Sequence, residues 1–429
     1  MTPNPTDLNP SDSEHFELFG HQIATVASAL HEDVSEVTIE YMSGGSYNRV
    51  TGVSIAPGHR RTKLEWVFST LSSYLPTRLL QMFKTPEDTG ISYVVRIPRF
   101  INKNTMDTMA RDIAILKTVG ALVQLPIPRV VGYDLTFQNT IGKPYMIQNR
   151  LPGENLSSLT KDVPLNLEQL KCVAEQVSQL APIIAAVEGP GGNISPSALS
   201  SDAKSLQVES LHLQHEELGD RAFDLSKHPQ DTFEHLIETC RRWSEYCTED
   251  GLPFNEIWYN FGIIIKSLNT RGFLNGPCVL ADRDLMPYNL LAEVRNDTQV
   301  QITGVIDWDS ATMAPEFVAY KAPYWLWTEE HVDSDYADTE ECANIVPVTE
   351  DAKILKQVFM DNASEKYKRF AFAPEAILAR RMYVILKEGI PKDWHIEEAW
   401  KIVSEWHALH PEDGITPPEE DPDCQLYEG

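Results

Sequence analysis

The sequence predicts an α+β chain in two parts, a strand-bearing beginning and a longer helical remainder. Three observations carry that expectation. Val37–Tyr41 and Val50–Ile55 read as strands on either side of a Gly/Ser turn, and Ser92–Ile97 reads as a third. From Asn166 onward apolar residues recur at helical spacing instead, as in Leu170, Val173, Val177 and Leu180. At 429 residues the chain can bury a large core and is expected to divide into two lobes.

Residues 1–14 are rich in Pro, Asn, Asp and Ser, which predicts disorder. A first lobe is expected over 15–151, opening with helical spacing at 15–32. The stretch MSGGSYN then turns the chain between two strands, so Gly44, Gly45 and Ser46 occupy a hairpin tip. Small residues there let backbone N–H groups approach an anion. Residues 57–90 interrupt the sheet pattern as an insertion. Trp66, Leu71, Leu75, Leu79 and Phe83 are spaced as on a helix broken at Pro76, and their apolar face is expected to pack on the first lobe. The next strand carries Arg96 at its centre, and a helix over Met106–Val119 carries Asp112. Residues 129–135 and 143–150 read as paired strands, the second ending in Gln148, Asn149 and Arg150, with the lobe boundary expected near Leu151–Gly153.

A second lobe is expected over 152–410. Asn166 and Gln169 have the spacing of a capping box. Residues 189–205 read as a flexible surface loop, and 230–248 and 252–267 as helices. Phe317–Trp327 is too apolar for an exposed loop and is expected in the core. Residues 350–371 and 374–389 read as two amphipathic helices, and 411–429 as a disordered tail, acidic and Pro-rich.

Net charge is −27 and the isoelectric point about 4.8. That charge repels phosphodiester backbones and anionic lipid, which argues against nucleic acid and membrane surfaces as partners and favours a neutral or cationic small molecule. Six Cys without a C-x-x-C pair, and twelve His without metal-ligand spacing, argue against zinc and for reduced thiols in a cytoplasmic setting. The first residues carry no apolar or basic leader, and no apolar run approaches a membrane span.

The most informative stretch is 279–311. Asp284 and Asn289 follow one apolar segment, and Asp307 closes another. Two carboxylates and a carboxamide in that order can hold Mg²⁺ against a nucleotide and orient a hydroxyl for attack. A polar loop joining two core strands is the plainer alternative.

The stretch resembles the catalytic and metal-binding loops of the aminoglycoside phosphotransferase family, most of all its divergent fungal-type members. These are small-molecule kinases that share the protein-kinase fold. DRDLMPYN stands where the family has H-x-D-x-x-x-x-N, and GVIDWDSA stands where it has its I-D-W stretch. The resemblance implies a two-lobed fold, with an antiparallel sheet and one helix in a small first lobe and a larger, mainly helical second lobe. It implies that Asp284 orients the hydroxyl of a small-molecule acceptor, that Asn289 and Asp307 hold Mg²⁺, and that ATP or GTP is the donor. Gly44, Gly45, Ser46 and Arg96 would meet its phosphates, Asp112 would pair with Arg96, and backbone groups at Gln148, Asn149 and Arg150 would bracket its base. Asp282 and Asp309 would support the site from behind.

Three departures from the family pattern surround that site: Asp282 for His, Arg96 for Lys and Asp112 for Glu. They keep a second reading open, a kinase-fold nucleotide-binding module without turnover. Glu329, Glu330, Asp333, Asp335, Asp338, Glu340 and Glu341 read as a solvated acidic loop, although relatives that act on polyamine-like sugars hold ammonium groups with such residues.

Overall fold

Antiparallel pairing joins five strands of the computed structural model: β1 (Val34–Met42), β2 (Asn48–Pro57), β3 (Ile91–Pro98), β4 (Val130–Asp134) and β5 (Tyr145–Asn149), in the order β1-β2-β3-β5-β4. Register sorts their residues onto two faces, because directly paired residues point the same way. Thr51, Val95 and Ile147 are paired in one row, as are Val53 and Tyr93. This face is covered by helix α1 (Pro10–Ser28), whose Phe19, Ile23, Val26 and Ala27 form a single apolar stripe. His31 Nε2 and the Tyr93 hydroxyl, 2.8 Å apart, fix the chain as it leaves α1. The opposite face carries Val50, Arg96 and Met146 in one row and Gly52, Val94 and Gln148 in the next. Helix α2 (Thr105–Leu122) follows β3, with Met109, Ile113 and Leu116 buried.

The structure describes residues 10–31, 34–42, 44–45, 47–57, 90–162, 164–199, 206–209, 231–328 and 340–417. It divides into two units, 1–117 with 128–151, and 118–127 with 152–429. Residues 118–127 therefore leave the first lobe in which they were expected. Val305 N–H donates to Pro126 O at 3.0 Å, a bond that ties this segment into the second unit. The expected disorder over 1–14 is corrected in part, since α1 already starts at Pro10. The insertion at 57–90 lies outside the described residues except at its two ends.

The second unit begins at Pro152–Gly153. Pro152 O accepts from Thr303 Oγ1 at 2.6 Å, and Gly153 has φ 97. A Cβ there would stand 2.4 Å from Thr303 Oγ1 and 2.7 Å from Ala292 O, so only glycine fits. Strand β6 (Glu154–Asn155) leads to helix α3 (Leu167–Ala185), which opens on the reciprocal Asn166/Gln169 capping box. Helices α4 (Thr232–Asp250) and α5 (Asn255–Thr270) pair through Trp243 and Trp258, stacked 5.6 Å apart.

Two small sheets frame the residues of interest. β7 (Glu188–Gly189), β8 (Cys278–Ala281) and β11 (Thr312–Ala314) form one, with β8 central. β9 (Leu290–Asn296) and β10 (Gln299–Val305) form the other with β6. Phe317–Trp327 is mostly buried, as expected, with Phe317 fully so.

Elsewhere the helical boundaries shift. The helix expected over 350–371 is two, α6 (Glu350–Asn362) and a short one at Glu365–Phe372, because Ser364 caps the second by accepting from Tyr367 N–H. After α7 (Pro374–Glu388) comes an unexpected helix, α8 (Asp393–Leu409), burying Ala399, Ile402, Val403 and Trp406. Residues 189–199 are no loose loop: Ile194 is fully buried and Gly192 pairs with Met313. The supposed tail from 411 is likewise packed as far as it is described, with Ile415 buried and Asp413 Oδ2 accepting from Trp406 Nε1 at 2.9 Å. Among the described residues no helix is long and apolar enough to cross a membrane.

Candidate active site

Strand β8 is buried along its whole length, and the chain leaves it directly into Asp282, Arg283 and Asp284. Asp282 is 4% exposed. Its Oδ1 accepts from the Asp284 N–H and the Ser310 hydroxyl, each at 3.1 Å, while its Oδ2 is buried with no partner. Burial pushes this carboxyl up to about 7. The charges of Asp284 and Asp307 add to the rise, and the two hydrogen bonds oppose it. Asp282 thus closes the loop as a hydrogen-bond acceptor.

One turn of 3-10 helix, Pro287–Asn289, folds the chain back so that Asn289 reaches Asp284. Asn289 Nδ2 donates to Asp284 Oδ2 at 2.7 Å and to Asp284 O at 2.9 Å. Asn289 is 3% exposed, so this clamp is shielded from water. On the other side the Tyr288 hydroxyl donates to Asp284 Oδ1 at 2.6 Å, and the Tyr288 carbonyl accepts from Asn155 Nδ2. Both oxygens of Asp284 are engaged, one by a buried amide and one by an exposed phenol.

Asp307 follows β10 and is the only non-glycine residue with positive φ among those described, at φ 62 and ψ 56. The left-handed region costs a side-chain-bearing residue about 1 kcal/mol or more, and Asp is one of the few that visit it. The neighbours impose it. Ile306 N–H donates to Asn289 O at 2.9 Å on one side, and on the other Trp308 is fully buried with Nε1 donating to Val305 O at 2.9 Å. One backbone bond therefore brings the Asn289 and Asp307 segments together, with the Asp307 carboxylate exposed. Asp309 is half-buried in the next turn, but the side chain tied to Asp282 is that of Ser310.

The donor set is one of hard oxygens. Asn289 directs its amide nitrogen to Asp284, which leaves its oxygen for a cation, and Asp307 presents a carboxylate, a pair that fits Mg²⁺. Among the described residues no three His, Cys, Asp or Glu side chains gather to hold a metal. A site of this kind takes its remaining ligands from phosphate and water.

The first unit holds the other expected residues. Gly44 lies against its own hairpin: a Cβ would stand 2.4 Å from Asn48 O, whereas Gly45 has open space around it. Arg99 Nε donates to Gly45 O at 2.8 Å and so braces the tip. Ser46 lies outside the described residues. Arg96 is 8% exposed on the face opposite α1, and Asp112 is half-buried on α2.

In the stretch expected to bracket the base, two backbone N–H groups are already engaged within the first unit. Asn149 N–H already donates to Arg129 O at 3.0 Å, and Arg150 N–H to Ser92 O at 2.9 Å. The Asn149 side chain accepts from Arg129 N–H, and Arg150 forms an ion pair with Glu40. Gln148 differs: its side-chain oxygen is buried without a partner, on the same sheet face as Arg96. The acidic residues 329–339 lie outside the described residues, as do the side chains of Glu340 and Glu341.

Sequence reasoning missed Tyr288, Ser310 and Asn155. Tyr288 and Ser310 lie within the informative stretch, yet neither residue type announces a bond to a carboxylate.

The phosphotransferase enzyme family matches residues 81–318. Two curated proteins from strains of Aspergillus fumigatus, both subtelomeric hrmA-associated cluster proteins, are 30% identical over 91 residues. That is 21% of this chain and 18% of each relative, so the chain matches less than a fifth of their length. Among solved structures, an ADP-bound aminoglycoside phosphotransferase is 12% identical, covering 93% of this chain and 98% of that one, with a TM-score of 0.43. A macrolide 2'-phosphotransferase from Brachybacterium faecium is 13% identical, covering 93% and 99%, with a TM-score of 0.40.

Proposed function

The chain belongs to the phosphotransferase enzyme family, and on that footing we propose that it is a small-molecule kinase, moving the γ-phosphoryl group of ATP or GTP to a hydroxyl of a metabolite. The observation that carries this reading is the clamp on Asp284. A buried amide holds one carboxylate oxygen, and an exposed phenol holds the other. Asp284 can therefore keep its orientation while exchanging the Tyr288 hydroxyl for that of an acceptor, which is what aiming a nucleophile in line requires.

Asn289 and Asp307 are the residues that would hold Mg²⁺, which would supply neutralisation of phosphate charge. In the first unit Arg96 and the backbone at Gly44, Gly45 and Ser46 take the phosphate-holding roles, with Asp112 aiming Arg96. Arg96 offers a bidentate grip that Lys lacks. Gln148, with its unpartnered side-chain oxygen, takes over base recognition from the Asn149 and Arg150 amides. Asp309 and Asp282 act behind the metal and the catalytic loop.

The test is phosphoryl transfer from γ-labelled ATP and GTP to a broad panel of hydroxyl compounds, run beside Asp284→Asn and Asp307→Ala. Asp284→Asn should lose transfer by at least a thousandfold and keep Mg²⁺-nucleotide affinity, whereas Asp307→Ala should lose both. Wild-type turnover in Asp284→Asn refutes the assignment. The second reading, nucleotide binding without turnover, draws on the buried Asp282 and predicts saturable Mg²⁺-nucleotide binding with transfer to nothing on the panel.

A further inference from the structure

A pocket in the second unit runs against the charge of the chain as a whole. The sequence carries −27, yet Arg283, Lys321, Arg380 and Arg381 line this pocket against a single carboxylate, Glu398. It spans about 570 Å³ of space, its open mouth included.

The cations differ in how they are committed. Arg380 directs its guanidinium at the carbonyls of Phe317, Tyr320 and Phe370 and so holds the fold. Arg381, 5% exposed, gives Nε to Glu398 at 2.5 Å and Nη1 to Glu405 at 2.7 Å, which neutralise it. Its Nη2 is buried with no acceptor, and so is the hydroxyl of Tyr383, which is 1% exposed and also lines the pocket. Among the described residues, neither Arg283 nor Lys321 forms an ion pair, and both are half-buried. Two buried donors without protein acceptors are unfavourable unless a ligand or water meets them. Two further cations stand beside them, and all four groups would be satisfied by the oxygens of one anion. Val318, Val384, Ile385 and Trp394 make the remaining wall apolar. Arg283 directly precedes Asp284 in the chain, although Asp284 itself is not among the residues that line the pocket.

We propose that this pocket binds an oxyanion, a carboxylate or a phosphate, borne on a small molecule with an apolar body, and that this molecule is the phosphoryl acceptor. Arg283, Lys321 and Arg381 Nη2 hold its anionic group, and its hydroxyl faces Asp284. The assignment as acceptor rests on the kinase reading above; the anion site does not. It reverses the preference for a neutral or cationic substrate expected from net charge. A far field is screened within about 8–10 Å at physiological salt, whereas a desolvated pocket is ruled by its own lining.

Inorganic phosphate and malonate, titrated without nucleotide at constant ionic strength, test the site through thermal stabilisation and through intrinsic tryptophan fluorescence, to which Trp394 in the pocket wall contributes. Both the wild type's Tm and its fluorescence should respond to at least one of them, and the stronger of the two tells phosphate from carboxylate. Lys321→Glu and Arg283→Gln, folded as judged by an unchanged anion-free melting curve, should each weaken that response tenfold or more. A response equal in wild type and both variants, or none to either anion, overturns the proposal. The acceptor role is then read from transfer to hydroxycarboxylates, sugar phosphates, uncharged polyols and amino alcohols. Transfer should favour the two anionic classes, and Lys321→Glu should raise the acceptor KM far more than it lowers kcat. Efficient transfer to polyols or amino alcohols, undiminished in Lys321→Glu, overturns the acceptor role. Variant-sensitive anion binding with transfer to no class upholds the pocket and defeats the kinase reading instead.

Discussion

Ser310 donates its hydroxyl to Asp282 at 3.1 Å and so ties the turn after Asp307 to the loop that ends in Asp284. The bond joins the two halves of the candidate site through a carboxyl that is wholly shielded from water. Burial lifts that carboxyl from an ordinary value of 3.8 to about 7 in the folded protein. The native state therefore holds a proton that the unfolded chain releases near pH 4, so Asp282 erodes stability as pH rises from about 4 to about 7 and by a constant amount above. Asp282→Asn removes this dependence and keeps an acceptor for Ser310 and the Asp284 amide. The melting temperature of the variant relative to wild type should rise by several degrees between pH 5 and pH 8. Mg²⁺ with nucleotide should shrink the difference by offsetting the charges of Asp284 and Asp307. Parallel melting curves across that range count against a buried, proton-holding Asp282.

Tyr288 makes a different prediction, because its ring is 47% exposed while its hydroxyl holds Asp284 Oδ1 at 2.6 Å. On the proposed kinase reading an acceptor hydroxyl takes that place, since the other oxygen is clamped by buried Asn289. Tyr288→Phe removes the competitor without emptying the ring's position. A hydrogen bond to a charged group contributes about 1.5–3 kcal/mol, and exposure lowers it. The acceptor KM should fall by up to about tenfold with kcat changed little. A raised KM would mean instead that Tyr288 helps to hold the acceptor.

The hairpin tip separates two glycines that look alike in sequence. A Cβ on Gly44 would stand 2.4 Å from Asn48 O and 3.1 Å from Val50 N, both backbone atoms that cannot give way alone. Gly45 has nothing within 4 Å. Gly44→Ala should destabilise the first unit by roughly 1–3 kcal/mol and raise the nucleotide KM, while Gly45→Ala leaves stability within about 0.5 kcal/mol. Similar melting temperatures for the two variants would show that the tip rearranges freely.

Much of the candidate site was legible because its chemistry is local. Asp284, Asn289 and Asp307 lie within one stretch of hairpin-forming residues, and the resemblance offers a role for each. What was illegible depends on closure in three dimensions. Nothing in the letters tells that Asn149 and Arg150 direct their amides at Arg129 and Ser92, or that Ser310 rather than Asp309 meets Asp282. The packed 189–199 segment looked like a loop because its glycines and prolines outweighed Ile194. Helix α8 had a usable signal in Ala399, Ile402, Val403 and Trp406, but no side chain caps its start. Local electrostatics is equally silent in the composition: a net charge of −27 says nothing of the cations lining one pocket.

Asp307 sets stability against function most directly. Its φ of 62 is held by the Ile306–Asn289 bond on one side and by buried Trp308 on the other. Glycine adopts that conformation without a steric penalty, so Asp307→Gly should relieve about 1 kcal/mol of strain, less the entropy glycine adds to the unfolded chain. It also removes one of three carboxylates whose charges crowd together, the others being Asp284 and Asp282. The variant should melt at or above the wild-type temperature without nucleotide and gain nothing from Mg²⁺-nucleotide, which should stabilise only the wild type. Asp307→Asn tolerates the same backbone and keeps an oxygen, so it should fall between the two in Mg²⁺-dependent stabilisation. A glycine variant that melts well below wild type would show that the Asp307 side chain holds the fold together, and its unusual backbone would then need another cause than service to a cation.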